Sequence, residues 1–301
     1  MDKNYRESDV SMLRIKTLFA CVFVFFAMQS VSAQPLAEQF IQNGYREMCN
    51  QEHGSVVFDA LYNYFDKFIK FLDTHPVWLH KLSRAKQLFI RSTEKNYYST
   101  DYFGLYDESK KTGRGQIAFY YSIHFHEYIC FCYPEIKNIP EIINFFQACY
   151  DIQYPYGAVF EQAAIELGVA SIFAYSNGVI PILLKVVKYF PFYIARRPHY
   201  DGTVFSLFLD STNNQSLLLA PYTSSLSCSD FNTPLRNFYR LEDQSSMLLI
   251  PGVLLPEFGI NPTPHIVVSS DETRYATIAF AMRPDYVQKN HAFSQLPLFK
   301  N

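Results

Sequence analysis

Near residue 183 the spacing of apolar residues changes, and this change limits the fold more than any other feature of the chain. Upstream, Val57, Leu61, Tyr64, Phe65, Phe68 and Phe71 recur every three or four positions, the period of one buried helix face. Asp73-Thr74-His75-Pro76 ends that run, because a proline disfavours helical geometry in the residue before it. Leu79 to Ile90 reads as a shorter helix. From Asn96 to Pro134 the texture is strand and loop: Asp107 to Gly115 is a polar loop, and Gln116 to Tyr133 is aromatic and β-branched. Pro140 to Gly168 reads as one long amphipathic helix with an interruption near Pro155 and Gly168 as its cap. Downstream, short apolar runs alternate with Pro, Asn, Ser and Gly, the texture of an antiparallel barrel or jelly roll. Asn213-Asn214 and Asn261-Pro262 read as turns between such strands. The expectation is an α+β chain, mainly β: a helical layer over about 34–180 and a barrel core over about 183–284. No repeat or linker divides it, so 34–301 is expected to be one domain.

Within the β-rich part, His199 and Asp201 flank Tyr200. Side chains alternate along a strand, so both point to the same face. His265, brought alongside by an adjacent strand, would complete two imidazoles and one carboxylate on one side of a metal. Such a set leaves positions open for other ligands, and by ligand type iron, zinc and manganese all qualify. Arg274 follows His265 by nine residues, and its planar guanidinium can clamp a carboxylate at two points. His124-Phe125-His126 would also set two rings on one face if extended, but reads rather as substrate-side packing or a solvated edge. His53, His75, His80 and His291 have no partner pattern and are expected to be exposed.

The residues around these positions carry a resemblance. The run Pro198-His199-Tyr200-Asp201-Gly202-Thr203-Val204-Phe205-Ser206-Leu207-Phe208-Leu209-Asp210 resembles the His-x-Asp strand of the isopenicillin-N-synthase-like 2-oxoglutarate/iron(II) dioxygenases. Met247 to Leu255, Pro264-His265-Ile266-Val267-Val268 and Arg274-Tyr275-Ala276-Thr277-Ile278-Ala279-Phe280 are similar to that family's later strands, in the same order. The likeness is strong from about Leu183 to Pro284 and weak over the helical half. It implies a double-stranded β-helix (jelly-roll) barrel and Fe(II) held by His199, Asp201 and His265. It further implies 2-oxoglutarate with its distal carboxylate on Arg274, dioxygen as the other cosubstrate, and hydroxylation or desaturation of a small-molecule substrate. Tyr189, in Lys188-Tyr189-Phe190-Pro191, stands where many relatives carry a cosubstrate-side tyrosine, although at a shorter separation.

Two further positions depart from the pattern. Val253 replaces an acidic residue after Gly252, and Ala276 replaces the serine that shares the distal carboxylate with the arginine. Thr277 cannot take over, since its neighbouring strand position faces the other way. Losing a hydrogen bond to a charged group costs about 1.5–3 kcal/mol. Either 2-oxoglutarate binds more weakly here or another hydroxyl contributes. Ala276 also keeps two alternatives in view: an iron oxidase of the same fold that does not use 2-oxoglutarate, and a non-catalytic binding protein that retains the barrel.

With 26 Lys and Arg against 28 Asp and Glu, the chain has no basic excess for nucleic acid and no charged tail. A monomer acting on a small molecule is the expected form. At the amino terminus, Arg14 and Lys16 precede an apolar run, Leu18 to Met28, and Val31-Ser32-Ala33 precedes Gln34. That order is a signal peptide over 1–33, with Met12 as an alternative start. The run is shorter than the roughly 20 residues a spanning helix needs, so no membrane span is expected after cleavage. Export to a periplasm or the exterior follows; without the signal the protein would be cytoplasmic. Of six cysteines, cleavage removes Cys21 and leaves an odd set: Cys49, Cys130, Cys132, Cys149 and Cys228. No disulfide framework is expected, and Cys130 and Cys132 read as buried thiols in a strand-like run. Protein recovered from its native compartment should begin at Gln34 on amino-terminal sequencing; an intact Leu18–Met28 segment would mean an anchor instead.

Overall fold

The computed structural model describes residues 34–48, 54–92, 104–108, 115–176, 182–192, 199–212, 216–220, 246–268 and 270–282. The signal segment, the Asn213-Asn214 turn, Cys49, Cys228, His53, His291 and the end of the chain lie outside the described residues. Six α-helices are described: α1 (Leu36–Asn43), α2 (Gly54–Thr74), α3 (Pro76–Ser92), α4 (Ile123–Cys132), α5 (Pro140–Gln153) and α6 (Tyr156–Glu166). The strands are β1 (Arg46–Met48), β2 (Gly104–Asp107), β3 (Gln116–Tyr121), β4 (Ile182–Tyr189), β5 (Phe205–Ser211), β6 (Leu217–Leu219), β7 (Met247–Pro251), β8 (His265–Val267) and β9 (Arg274–Ala281).

Seven strands form one antiparallel sheet in the order β1-β7-β5-β9-β4-β3-β2, and β6 pairs with β8 in a second. Alternation gives the large sheet two different faces. On one, Leu184 and Val186 of β4 join the core that the helices cover; on the other, Val187 and Tyr189 pack with Ala118, Tyr120, Ala276 and Ile278. Val267 of β8 packs on this second group, so the small sheet faces it. The helical core is aromatic: the Phe68 ring lies 5.4 Å from Phe119 of β3 and 4.8 Å from Phe145 of α5. Among the described residues no helix is long and apolar enough to cross a membrane.

Helix α2 appears where the period places it, with its stripe rotated slightly. Phe58, Leu61, Tyr62, Phe65, Phe68 and Leu72 are buried, whereas Val57 is exposed. Gly44 takes φ +78°, a left-handed conformation that suits glycine, and its N–H caps α1 through Phe40 O. The interruption near Pro155 is a complete break, dividing the expected long helix into α5 and α6.

One expectation is overturned. The aromatic stretch after Tyr121 does not continue as a strand but turns into α4. The first helical bond runs from His126 N–H to Ser122 O (3.0 Å), and Phe125 and Ile129, four apart, share the buried face. Packing against Phe89 of α3, 5.5 Å away, outweighs the strand preference of β-branched and aromatic residues. Two residues along a helix do not share a face, so His124 and His126 do not form a site. His124 is exposed, while the His126 ring binds Tyr121 Oη at 2.8 Å. Cys130 and Cys132 are half-buried on α4, Cys149 is buried, and all three are free thiols. His75 and His80 are exposed as expected.

Candidate metal centre

His199 lies outside the named strands and is held by a single antiparallel bridge to His265, the first residue of β8. The bridge is reciprocal: His199 N–H donates to His265 O at 2.9 Å, and His265 N–H donates to His199 O at 3.0 Å. It places the two imidazoles side by side, ring centres 4.3 Å apart. Asp201 projects beside them, with Oδ1 3.8 Å from His199 Nε2 and Oδ2 3.6 Å from His265 Nε2. One ligand atom from each of the three lies within 4.8 Å of the other two. The spacing expected from the His-x-Asp pattern is therefore realised.

The turn after β7 braces the backbone that carries Asp201. Val253 N–H donates to Asp201 O at 3.0 Å and Gly252 N–H to Val204 O at 2.9 Å. A side chain at position 252 has no room, because a Cβ there would stand 2.1 Å from Thr203 O. Glycine is thus required by close approach rather than by backbone angle. The residue at 253 contributes its backbone N–H to this brace.

The electrostatics suit a cation. His265 Nδ1 lies 3.2 Å from Thr263 O, an acceptor only, so Nδ1 carries a proton; Nε2 faces Asp201, with a lone pair there in the neutral ring and a proton in the charged one. Among the described residues, buried Asp201 Oδ2 has no hydrogen-bond partner. A lone pair facing a carboxylate is repulsive unless a proton or metal ion stands between them. The 3.6 Å gap exceeds a hydrogen bond, but N and O ligands on a common metal, each about 2.0–2.2 Å from it, span such a distance. Burial opposes ionisation of Asp201, yet His265, His199 and the Ser206 hydroxyl together hold its carboxyl below the usual carboxylate range. Burial likewise lowers the basicity of His265, and Asp201 more than reverses this. The three donors fit a divalent cation. His199 is the most exposed, its side chain 31% accessible against 13% for Asp201 and 3% for His265, so other ligands approach from its side.

Arg274 and Tyr189 are cross-strand neighbours on β9 and β4. Arg274 is 3% exposed, and its guanidinium lies 4.1 Å from the Tyr189 ring centre. The recess around the three metal-type ligands is also lined by Gln116, Lys185, Tyr189, Phe208, Val267, Ile278 and Phe280. A second recess holds Arg274, Ala276 and Ser211, and shares Tyr189, Phe208, Val267 and Ile278 with the first. Thr277 points to the helix side, where its Oγ1 meets Tyr62 Oη at 3.2 Å. Sequence reading overlooked Lys185, although its place four residues before Tyr189 on one strand signals the shared face. It also overlooked Ser211.

No protein-family model and no curated protein matches the chain. Solved structures do. Dioxygenase for auxin oxidation 1 from Arabidopsis thaliana, in its 2-oxoglutarate binary complex, aligns at a TM-score of 0.52 over 83% of this chain and 86% of its own, with 13% identity. The rice dioxygenase for auxin oxidation aligns at 0.51 over 83% and 77%, with 10% identity. This chain has the fold of those dioxygenases. At such identities the likeness is one of architecture, and the chemistry must be argued from the residues.

Those residues give a direct test of the brace. Gly252→Ala should lower the unfolding midpoint and weaken metal uptake, because the added methyl must displace the Thr203 backbone beside Asp201. Gly157→Ala, in α6 with Ile182 Cδ1 at 4.0 Å as its nearest neighbour, should instead raise stability by about 0.5–1 kcal/mol. Thermal melts with and without metal would show the contrast.

Proposed function

We propose that this protein is a non-haem iron(II) oxygenase that uses 2-oxoglutarate and dioxygen to oxidise a small molecule. The two sheets are read as the halves of a double-stranded β-helix, with His199, Asp201 and His265 holding the metal between them. The observation that carries the proposal is the continuity of the two recesses: a three-donor cluster at one end, a buried guanidinium at the other, and four shared lining residues between. A short dicarboxylate with an oxoacid at one end suits that arrangement. The 2-oxoglutarate complex of the Arabidopsis neighbour supports the same reading.

Bound iron, 2-oxoglutarate and dioxygen supply the oxidising power, with succinate and carbon dioxide as coproducts. The chain's own residues position and shield. Charged forms of the two imidazoles favour ionised Asp201 against its burial, and a cation in the same place would do likewise, so Asp201 offers an anionic ligand. Thr263 O fixes the His265 tautomer with Nε2 facing the metal position. Arg274 grips the distal carboxylate, its guanidinium held under the Tyr189 ring. Phe208, Val267 and Ile278 line the path between the ends with apolar surface and exclude water. The more exposed His199 side remains for the substrate.

Anaerobic titration should show one Fe(II) per chain, and the loaded protein should convert 2-oxoglutarate to succinate. Asp201→Ala should abolish stoichiometric iron while leaving circular dichroism intact; unchanged iron content would remove the site. Arg274→Gln should keep the metal and raise the apparent KM for 2-oxoglutarate about ten- to a hundredfold. If metal-loaded wild type makes no succinate and shows no spectral response to 2-oxoglutarate, the cosubstrate assignment fails.

A further inference from the structure

Strand β5 contains an irregularity beside the arginine. Phe208 pairs with Ile278 and Asp210 with Thr277, so one step along β9 is matched by two residues of β5. Leu209 is the extra residue, a β-bulge. Leu209 joins the helix-side core, and the Asp210 carboxylate accepts from Tyr62 Oη at 2.8 Å, also on the helix side. Two successive residues thus share one face, and alternation resumes one step late. Ser211 is thereby directed to the face occupied by Phe208 and Ala276, where regular alternation from Phe208 would have put residue 210.

Ser211 pairs directly with Ala276 across the β5–β9 ladder. Its Oγ accepts from Arg274 Nη1 at 3.3 Å, and both residues line the arginine recess. The hydroxyl proton points to Tyr275 O at 3.1 Å. That carbonyl already accepts from Thr212 N–H at 3.1 Å, so the Ser211 proton can turn away without leaving it unsatisfied.

Building on the proposed function, we infer that Ser211 donates the second hydrogen bond to the distal carboxylate of 2-oxoglutarate, replacing from the neighbouring strand the hydroxyl that Ala276 lacks. Arg274 Nη1 donates to the Ser211 oxygen and orients it; the serine proton then faces the carboxylate that the guanidinium holds.

Calorimetric titration of anaerobic protein loaded with Mn(II) tests this without turnover. Ser211→Ala should raise the Kd for 2-oxoglutarate about tenfold or more, with the metal affinity and the circular dichroism spectrum unchanged. Pyruvate keeps the oxoacid end but has no distal carboxylate, so its Kd should not change. Adding Ala276→Ser to Ser211→Ala should recover most of the loss by returning the hydroxyl to the facing position. An unchanged 2-oxoglutarate Kd in Ser211→Ala, an equal loss for pyruvate, or no recovery in the double variant overturns the inference alone. Wild-type protein that takes up Mn(II) but not 2-oxoglutarate overturns the proposed function and this inference together.

Discussion

Two backbone hydrogen bonds, exchanged between His199 and His265, are the constraint on which the candidate site depends. The residues stand sixty-six positions apart in the chain, and no regular ladder carries His199. The bonds are made by backbone and do not use the imidazole nitrogens. Asp201 needs no fastening of its own, being two residues from the bridge and braced by the Val253 amide. The geometry is therefore set before any cation arrives, with two ring nitrogens and a buried carboxylate oxygen converging on one point.

The back of the same sheet is held by polar contacts rather than by apolar packing alone. Tyr62 of α2 binds Asp210 and Thr277, and its ring stacks on Tyr275 at 5.0 Å. Tyr275 Oη in turn donates to Asp66, which also receives Lys188 at 2.8 Å. The Lys188–Asp66 pair is partly solvated and adds little by itself. The buried hydroxyl of Tyr62 matters more, since stranding its partners costs about 1–3 kcal/mol. Both Asp210 and Thr277 flank residues of the arginine recess, so α2 steadies that end of the cavity from behind.

Much of this was legible in the sequence, for definable reasons. The helix period fixed α2 and α3, and the His-x-Asp pattern marked two of the three residues that meet, although His199 stands in a single bridge and Asp201 in no strand rather than along a ladder. The expected opposition of Ala276 and Thr277 holds because β9 is regular there. Reading failed where a local pattern was overruled by what lies across the chain. The run after Tyr121 has strand chemistry, yet Phe125 and Ile129 find their burial against α3 only as a helix. Ser211 was hidden for a related reason: a bulge shifts the alternation by one, and nothing in the letters of β5 marks Leu209 as supernumerary. The brace from the turn after β7 uses main-chain atoms, to which composition and motif are blind.

The bulge also decides which of two neighbouring side chains meets the guanidinium. If the register of Phe208 and Ile278 ran on without the bulge and every residue were kept, the residue opposite position 276 would be Asp210. An internal carboxylate would then sit against Arg274 and satisfy it, and an incoming dicarboxylate would have to displace a tethered rival of the same charge. The extra residue keeps that rival on the far side of the sheet, occupied with Tyr62. A one-residue slip of β5 against β9 beyond Phe208 would thus convert an anion receptor into a self-occupied one, with the metal ligands untouched.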